Sequence, residues 1–197
     1  MNKSTSTRQP AKGNIRIISG KYRGRKLPVL MAEGLRPTTD RVKETLFNWL
    51  MPYIQESVCL DCFAGSGGLG FEALSRGAKS VTLLELNKAA AMQLEKNKAL
   101  LKAEQITIVN TNSLTYLEHC SQKFSMVFID PPFRQGLTAK TIDLLSNSLV
   151  NKRLLESNAL IYIEMESEES ITTIPNDWLL LKEKTAGQVT YRLYQCP

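Results

Sequence analysis

Residues 58–72, VCLDCFAGSGGLGFE, decide the fold. Val58–Phe63 is a short apolar run with one carboxylate, Asp61, near its carboxyl end. It passes directly into G-x-G-x-x-G at Gly65, Gly67 and Gly70, and a helical pattern follows over Gly68–Arg76. Strand, glycine turn and helix in that order open a parallel α/β sheet, because a strand that returns parallel needs a helical crossover. Glycines at the turn allow a tight bend and let a ligand approach the backbone.

The rest of the chain keeps the same rhythm. The patterning predicts further strands at Ser80–Leu86, Ile106–Asn110, Met126–Asp130 and Ala159–Glu164, and further helices at Lys88–Leu101, Leu114–Glu118 and Leu137–Leu149. Two last strands around Ala186-Gly187 read as an antiparallel hairpin at the sheet edge. The expected fold class is α/β, a mostly parallel sheet with helices on both faces. With 197 residues the chain suits one domain with a small appendage and can bury a proper core. A hydrophobic share of 43% and a charged share of 22% place it among ordinary soluble globular proteins. No apolar stretch approaches the roughly 18 residues of a membrane span, and Met1–Gly13 is too polar for a secretory signal. A cytoplasmic location and no membrane partner are therefore expected. Cys59 and Cys62 form C-x-x-C, but on a strand positions three apart face opposite ways, and His119 is the single histidine. Buried thiols are the expectation, with no metal.

Charge is concentrated at the amino end. Residues 1–44 carry 11 Lys/Arg against 3 Asp/Glu, whereas the remainder carries 14 against 16. Such asymmetry points to a nucleic acid or a membrane surface. Residues 1–13 read as a disordered polar tail, residues 14–36 as a basic β-hairpin and residues 37–197 as the α/β domain. The hairpin, NIRIISGKYRGRKLPV, turns at Gly20 and Gly24 and would present Arg16, Lys21, Arg23, Arg25 and Lys26 on one face, with Tyr22 among them. Basic residues beside an aromatic suit an RNA backbone, although a generic basic hairpin has the same composition. A helix then starts near Thr39 or Asp40 and places Val42, Leu46, Trp49, Leu50 and Tyr53 on one face.

The glycine loop leaves two cofactors open. Glu85 ends the second core strand 20 residues after Gly65, where a carboxylate can grip ribose hydroxyls. Those two features alone admit either a nicotinamide nucleotide or S-adenosylmethionine, while the missing G-K-[ST] ending argues against a nucleoside triphosphate. Asp61 favours the second. Asp-x-Phe-x-Gly-x-Gly, with Phe63, Ala64, Gly65, Ser66 and Gly67, resembles motif I of class I methyltransferases, in which the acid helps to hold the methionine end of the cofactor. An anion there would oppose a pyrophosphate and favour a sulfonium and an ammonium. Leu86 follows the acid, and Asn112 and Ser113 follow the third strand, where they would face an adenine or simply cap the next helix.

The fourth strand ends in Asp130-Pro131-Pro132-Phe133. Two prolines cannot continue a central strand, so the strand stops at a rigid elbow carrying an acid and an aromatic ring. The tetrapeptide resembles the [DNS]-P-P-[YFW] motif of methyltransferases that act on planar exocyclic amines. Such an amine is a poor nucleophile because its lone pair is delocalised into the ring. Asp130 and the Pro131 carbonyl can accept its N–H groups and favour developing positive charge, Pro132 keeps the elbow stiff, and Phe133 can stack on an extruded base. By itself the motif does not choose among adenine, cytosine, guanine and a glutamine side chain.

Longer blocks carry a closer resemblance. IRIISGKYRGRKLPV, GLRPTTDRVKETLFNWL, CLDCFAGSGGLGFEALSRGA, FIDPPFR, ALIYIE and AGQVTYRLYQ together resemble the bacterial RsmD family over residues 14–196. The resemblance implies a Rossmann-like class I fold with a mostly parallel seven-stranded sheet and an N-terminal β-hairpin extension. It implies an S-adenosylmethionine-dependent enzyme that methylates the N2 amine of guanine 966 in 16S ribosomal RNA, within the small subunit or its assembly intermediate. It places Arg36 and Thr38 near the cofactor or the target base, and a monomer suffices. Arg134, directly after the elbow, joins the hairpin residues as an expected RNA contact. Two alternatives stand beside it: an adenine-N6 methyltransferase acting on DNA or RNA, and a non-catalytic RNA-binding assembly factor.

Overall fold

The structure is a computed structural model that describes residues 12–30, 40–146, 154–168 and 174–197. Arg36 and Thr38 lie outside the described residues, as do Thr39 and residues 1–11 of the N-terminal tail. The core sheet contains β3 (Val58–Asp61), β4 (Ser80–Glu85), β5 (Ile106–Asn110), β6 (Phe124–Ile129), β7 (Leu155–Glu166), β8 (Leu179–Ala186) and β9 (Val189–Gln195). Its order is β5-β4-β3-β6-β7-β9-β8. The five strands β3 to β7 are mutually parallel, and β9 enters antiparallel between β7 and β8. The chain therefore reverses direction of travel across the sheet between β3 and β6, the switch point at which open α/β sheets bind ligands.

Helices α1 (Asp40–Leu50), α2 (Gly68–Ser75) and α3 (Lys88–Leu101) contribute to one apolar cluster, while α4 (Ser113–His119) and α5 (Leu137–Ser146) contribute to another. Alternation along the strands divides the sheet between them. Cys59, Met126, Phe128, Tyr162 and Leu193 belong to the first cluster; Leu60, Val127, Ile129, Ile163 and Tyr194 belong to the second. Cys59 and Cys62 accordingly fall on opposite sides, both buried, and burial pushes the Cys59 thiol up to about 12. Among the described residues no helix is long and apolar enough to cross a membrane.

Several bounds differ from the sequence expectation: β6 starts at Phe124 rather than Met126, and Lys12 and Gly13, expected in the tail, lie in the first hairpin strand; two further differences have local reasons. β7 starts at Leu155 rather than Ala159: its first residues, exposed and partly polar, pair across a register shift near Phe124 and Met126, with Asn158 at φ 62°. On α1 the buried face contains Lys43 and Phe47, whereas Tyr53 is exposed, because the helix ends at Leu50 just before Pro52.

The N-terminal hairpin pairs β1 (Lys12–Arg16) with β2 (Lys26–Leu30) as a separate two-stranded sheet. Ile15, Ile17, Tyr22, Leu27 and Val29 all enter the core cluster shared with α2 and α3. Tyr22 is thus a packing residue, not a member of the exposed basic face expected for it, because its backbone is drawn inward onto α2. The Glu72 carboxylate, fully buried, accepts the N–H groups of Ile18 at 2.7 Å and Ser19 at 3.1 Å. Ser75 accepts the Lys21 N–H at its carbonyl (2.7 Å) and the Tyr22 N–H at its hydroxyl (2.9 Å). Gly20, at φ 82°, approaches so closely that an added Cβ would sit 1.8 Å from the Ser75 carbonyl oxygen. On the α3 side, Asn97 donates to the Pro28 carbonyl (2.9 Å) and Arg25 to the Leu100 carbonyl (3.2 Å).

Candidate functional site

Four carboxylates end four neighbouring parallel strands. Asp61 ends β3 and Glu85 ends β4; Asp130 follows β6 immediately, and Glu164 lies near the end of β7. They share a face, because each is two residues beyond a member of the same cluster: Cys59, Leu83, Phe128 and Tyr162. That face opens into a cavity of about 640 Å³, within the ordinary range for small-molecule sites. All four acids line it, as do Phe63 to Ser66, Leu86, Asn112, Ser113 and Pro131 to Phe133; Ile15 and Val29 of the hairpin and Ala186 and Val189 of the β8–β9 turn close its sides.

Asp61 is nearly inaccessible to solvent, and burial pushes its carboxyl up to about 7, with Glu85 adding to the effect. The Phe63 N–H, 3.4 Å from Oδ1, works in the opposite sense. Glu85 is also raised by burial, and its two oxygens accept the N–H groups of Gly65 (2.8 Å) and Asn87 (2.7 Å). The glycine loop is therefore strapped to the end of the second strand. Gly65 and Gly67 take positive φ, 51° and 78°, and a Cβ at Gly70 would lie 2.2 Å from the Leu83 side chain. The first two glycines shape the turn, and the third lets α2 settle on the sheet.

Asn112 caps α4: its side-chain oxygen accepts the N–H groups of Leu114 (2.9 Å) and Thr115 (3.2 Å). Ser113 is buried and donates its hydroxyl to the Cys62 carbonyl. Both line the cavity, yet the strongest polar groups of each serve the fold. At the elbow Pro131 is buried, Pro132 exposed and Asp130 and Phe133 half-buried. Arg134, at φ 61°, lies 3.4 Å from Glu166. Arg16, Lys21, Arg23, Arg25 and Lys26 are all exposed on the docked hairpin.

Two groups that line the cavity stand outside the expected site set, although Lys43 lies in the block GLRPTTDRVKETLFNWL and Glu164 ends the block ALIYIE. Lys43 is almost fully buried, donates to the Arg16 carbonyl (2.9 Å), pairs with Asp40 (3.1 Å) and lines the same cavity as the four acids. Glu164 is buried and accepts the Tyr162 hydroxyl at 2.7 Å. Neither position departs from an ordinary helix or strand pattern; only the sheet register brings Glu164 beside Asp130.

The chain as a whole is similar to known proteins. A family profile described as conserved hypothetical protein 95 matches residues 15–195. A Haemophilus influenzae protein named ribosomal RNA small subunit methyltransferase D is 58% identical over 94% of this chain and 95% of its own length. The Escherichia coli K12 protein of the same name is 55% identical over 93% of this chain and 90% of its own. Among solved structures, a candidate methyltransferase from Escherichia coli superposes with a TM-score of 0.83 at 54% identity, covering 93% of this chain and 98% of that one.

Proposed function

The chain belongs to the conserved hypothetical protein 95 family, the RsmD family of small-subunit ribosomal RNA methyltransferases, and from that premise we propose that it methylates the N2 amine of guanine 966 in 16S ribosomal RNA, with S-adenosylmethionine as donor. The observation that carries the reading is one of placement. The Asp130-Pro131-Pro132-Phe133 elbow opens into the same cavity as Asp61, the glycine loop and Glu85.

The residues fit that donor. Asp61, buried, and Glu85, half-buried, form an acidic pair whose ionised form is disfavoured until a cation arrives. An ammonium and a sulfonium supply that positive charge, whereas a pyrophosphate would add to the repulsion. Asp61 then holds the amino-acid end, Glu85 takes ribose hydroxyls beside the loop N–H groups it already accepts, and Leu86 with Asn112 flanks the base. The bound donor supplies an electrophilic methyl group.

On the substrate side, Asp130 and the Pro131 carbonyl accept the two N–H groups of the exocyclic amine and hold its nitrogen on line for direct displacement. As the C–N bond forms and the methyl–sulfur bond breaks, leaving a neutral thioether, positive charge grows on nitrogen beside the Asp130 carboxylate, which takes the released proton. Phe133 stacks on the extruded base, and Pro131 and Pro132 keep the acceptors from relaxing. All these groups come from one chain, so the reaction requires no second copy.

The test uses labelled S-adenosylmethionine with small subunits, naked ribosomal RNA and DNA separately, followed by identification of the product nucleoside. N2-methylguanosine from ribosomal RNA or its particles is expected, and N6-methyladenine would overturn the assignment. Asp130→Ala should lower transfer by about 100-fold or more while leaving donor affinity by calorimetry within a few-fold of wild type. Wild-type turnover by that variant would remove Asp130 from its role.

A further inference from the structure

We propose that Glu164 reads the ring N1–H of the target base and so selects guanine over the other amine-bearing bases; this rests on the methyl-transfer reading above. β6 and β7 run parallel with Phe128 opposite Tyr162 and Ile129 opposite Ile163. Asp130 and Glu164 are the next residues on each strand and point to the same face, on backbones roughly 4.8 Å apart. Glu164 lines both the large cavity and the smaller recess bounded by Pro131 to Thr138. It is a buried carboxylate in the wall where the substrate amine must sit, and the Tyr162 hydroxyl fixes it by donating to Oε2. Burial and the adjacent Glu164 charge keep that phenol protonated, so it remains a donor. A carboxylate offers about four lone-pair sites, enough to hold the hydroxyl and further donors together.

Base chemistry supplies the discrimination. Guanine presents N1–H and N2–H as adjacent donors on its Watson–Crick edge. Adenine and cytosine each present one amine beside an unprotonated ring nitrogen. Two neighbouring carboxylates therefore match guanine donor for donor. Against adenine or cytosine the second carboxylate would face a lone pair, an unpaired and repulsive contact in a low-dielectric wall. The Asp-Pro-Pro-Phe elbow alone selects an amine; Glu164 adds the ring position next to it.

The experiment compares small-subunit particles whose rRNA carries guanine or 2-aminopurine at the target position. Both bases bear the N2 amine, but only guanine bears N1–H. Wild-type kcat/KM should favour guanine by about 100-fold. Glu164→Gln should narrow that ratio at least about tenfold, since an amide can donate as well as accept. Tyr162→Phe, which keeps the carboxylate but loosens it, should narrow the ratio less and supplies the measurement if the first variant does not fold. An unchanged ratio in the folded variant, or equal wild-type rates on the two bases, overturns the role of Glu164. A wild-type product other than N2-methylguanosine defeats instead the reading on which it rests.

Discussion

At Asp61 a carboxylate is held where its charge is disfavoured. Burial takes it from its ordinary 3.8 up to about 7, so between roughly pH 4 and pH 7 the folded chain keeps a proton that the unfolded chain has lost. The associated stability is full below pH ~4 and is lost as pH rises through about 7; Glu85, raised by the same cause, acts in the same direction. Binding a cation runs the opposite way, because it requires the ionised acid. Affinity for S-adenosylmethionine should therefore tighten from pH 5.5 to pH 7.5, by up to about tenfold per pH unit below 7. Asp61→Asn should bind more weakly at pH 7.5, lose most of that pH dependence, and make the free protein more stable at pH 8 by up to a few kcal/mol. Calorimetry across that range, paired with thermal melts, checks both signs; a pH-independent wild-type affinity would refute the assignment of Asp61.

Among the secondary elements the hairpin depends most on a few contacts. Its strands belong to no part of the main sheet, so docking rests on apolar packing, on N–H groups accepted by Glu72 and Ser75 of α2, and on carbonyls that accept from Lys43, Asn97 and Arg25. Gly20→Ala would place a methyl against the Ser75 backbone in a left-handed conformation that alanine resists. We expect a loss of about 2–3 kcal/mol, a melting temperature lower by about 5–10 °C, and faster amide exchange at Ile17, Lys21 and Tyr22 than in the core strands. Wild-type exchange at those amides would show that the hairpin tolerates the clash. How far these elements were legible in the sequence depended on the range of the signal. Helix α3 follows local periodicity from Lys88 to Leu101 and coincides with its expected bounds. The motif acids lie at the carboxyl ends of the strands expected to carry them. Lys43 and Glu72, by contrast, occupy positions on α1 and α2 that look solvated in sequence, and besides their near ion pairs with Asp40 and Arg76 they bind the Arg16 carbonyl and the Ile18 N–H, 27 and 54 residues away. Tyr22 departs from the expected basic face for the same reason: the turn that buries it is set by contacts with Ser75.

For the whole molecule, charge and geometry divide the work. The acidic cavity lies at the carboxyl edge of the sheet, while the docked hairpin, which forms one wall of that cavity, exposes Arg16, Lys21, Arg23, Arg25 and Lys26. Docking would matter to an RNA contact, because cations on a fixed wall would hold a phosphate backbone in one register relative to the elbow, whereas cations on a free tail would raise affinity without orienting the base. Each phosphate contact contributes about −0.7 to −0.9 to the slope of log K against log salt. Replacing Arg16, Lys21, Arg23 or Lys26 singly by alanine should weaken binding to small subunits and make that slope shallower by up to about 1. Donor affinity should stay unchanged, because none of the four lines the cavity. Arg25 should behave differently: it also donates to the Leu100 carbonyl, so its loss should lower hairpin stability as well as the salt slope. Binding to particles measured from 50 to 200 mM salt, with melting curves alongside, separates the two effects. If the four single variants keep the wild-type slope, the RNA path does not cross the hairpin, and the basic excess of the amino-terminal segment serves some contact other than substrate alignment.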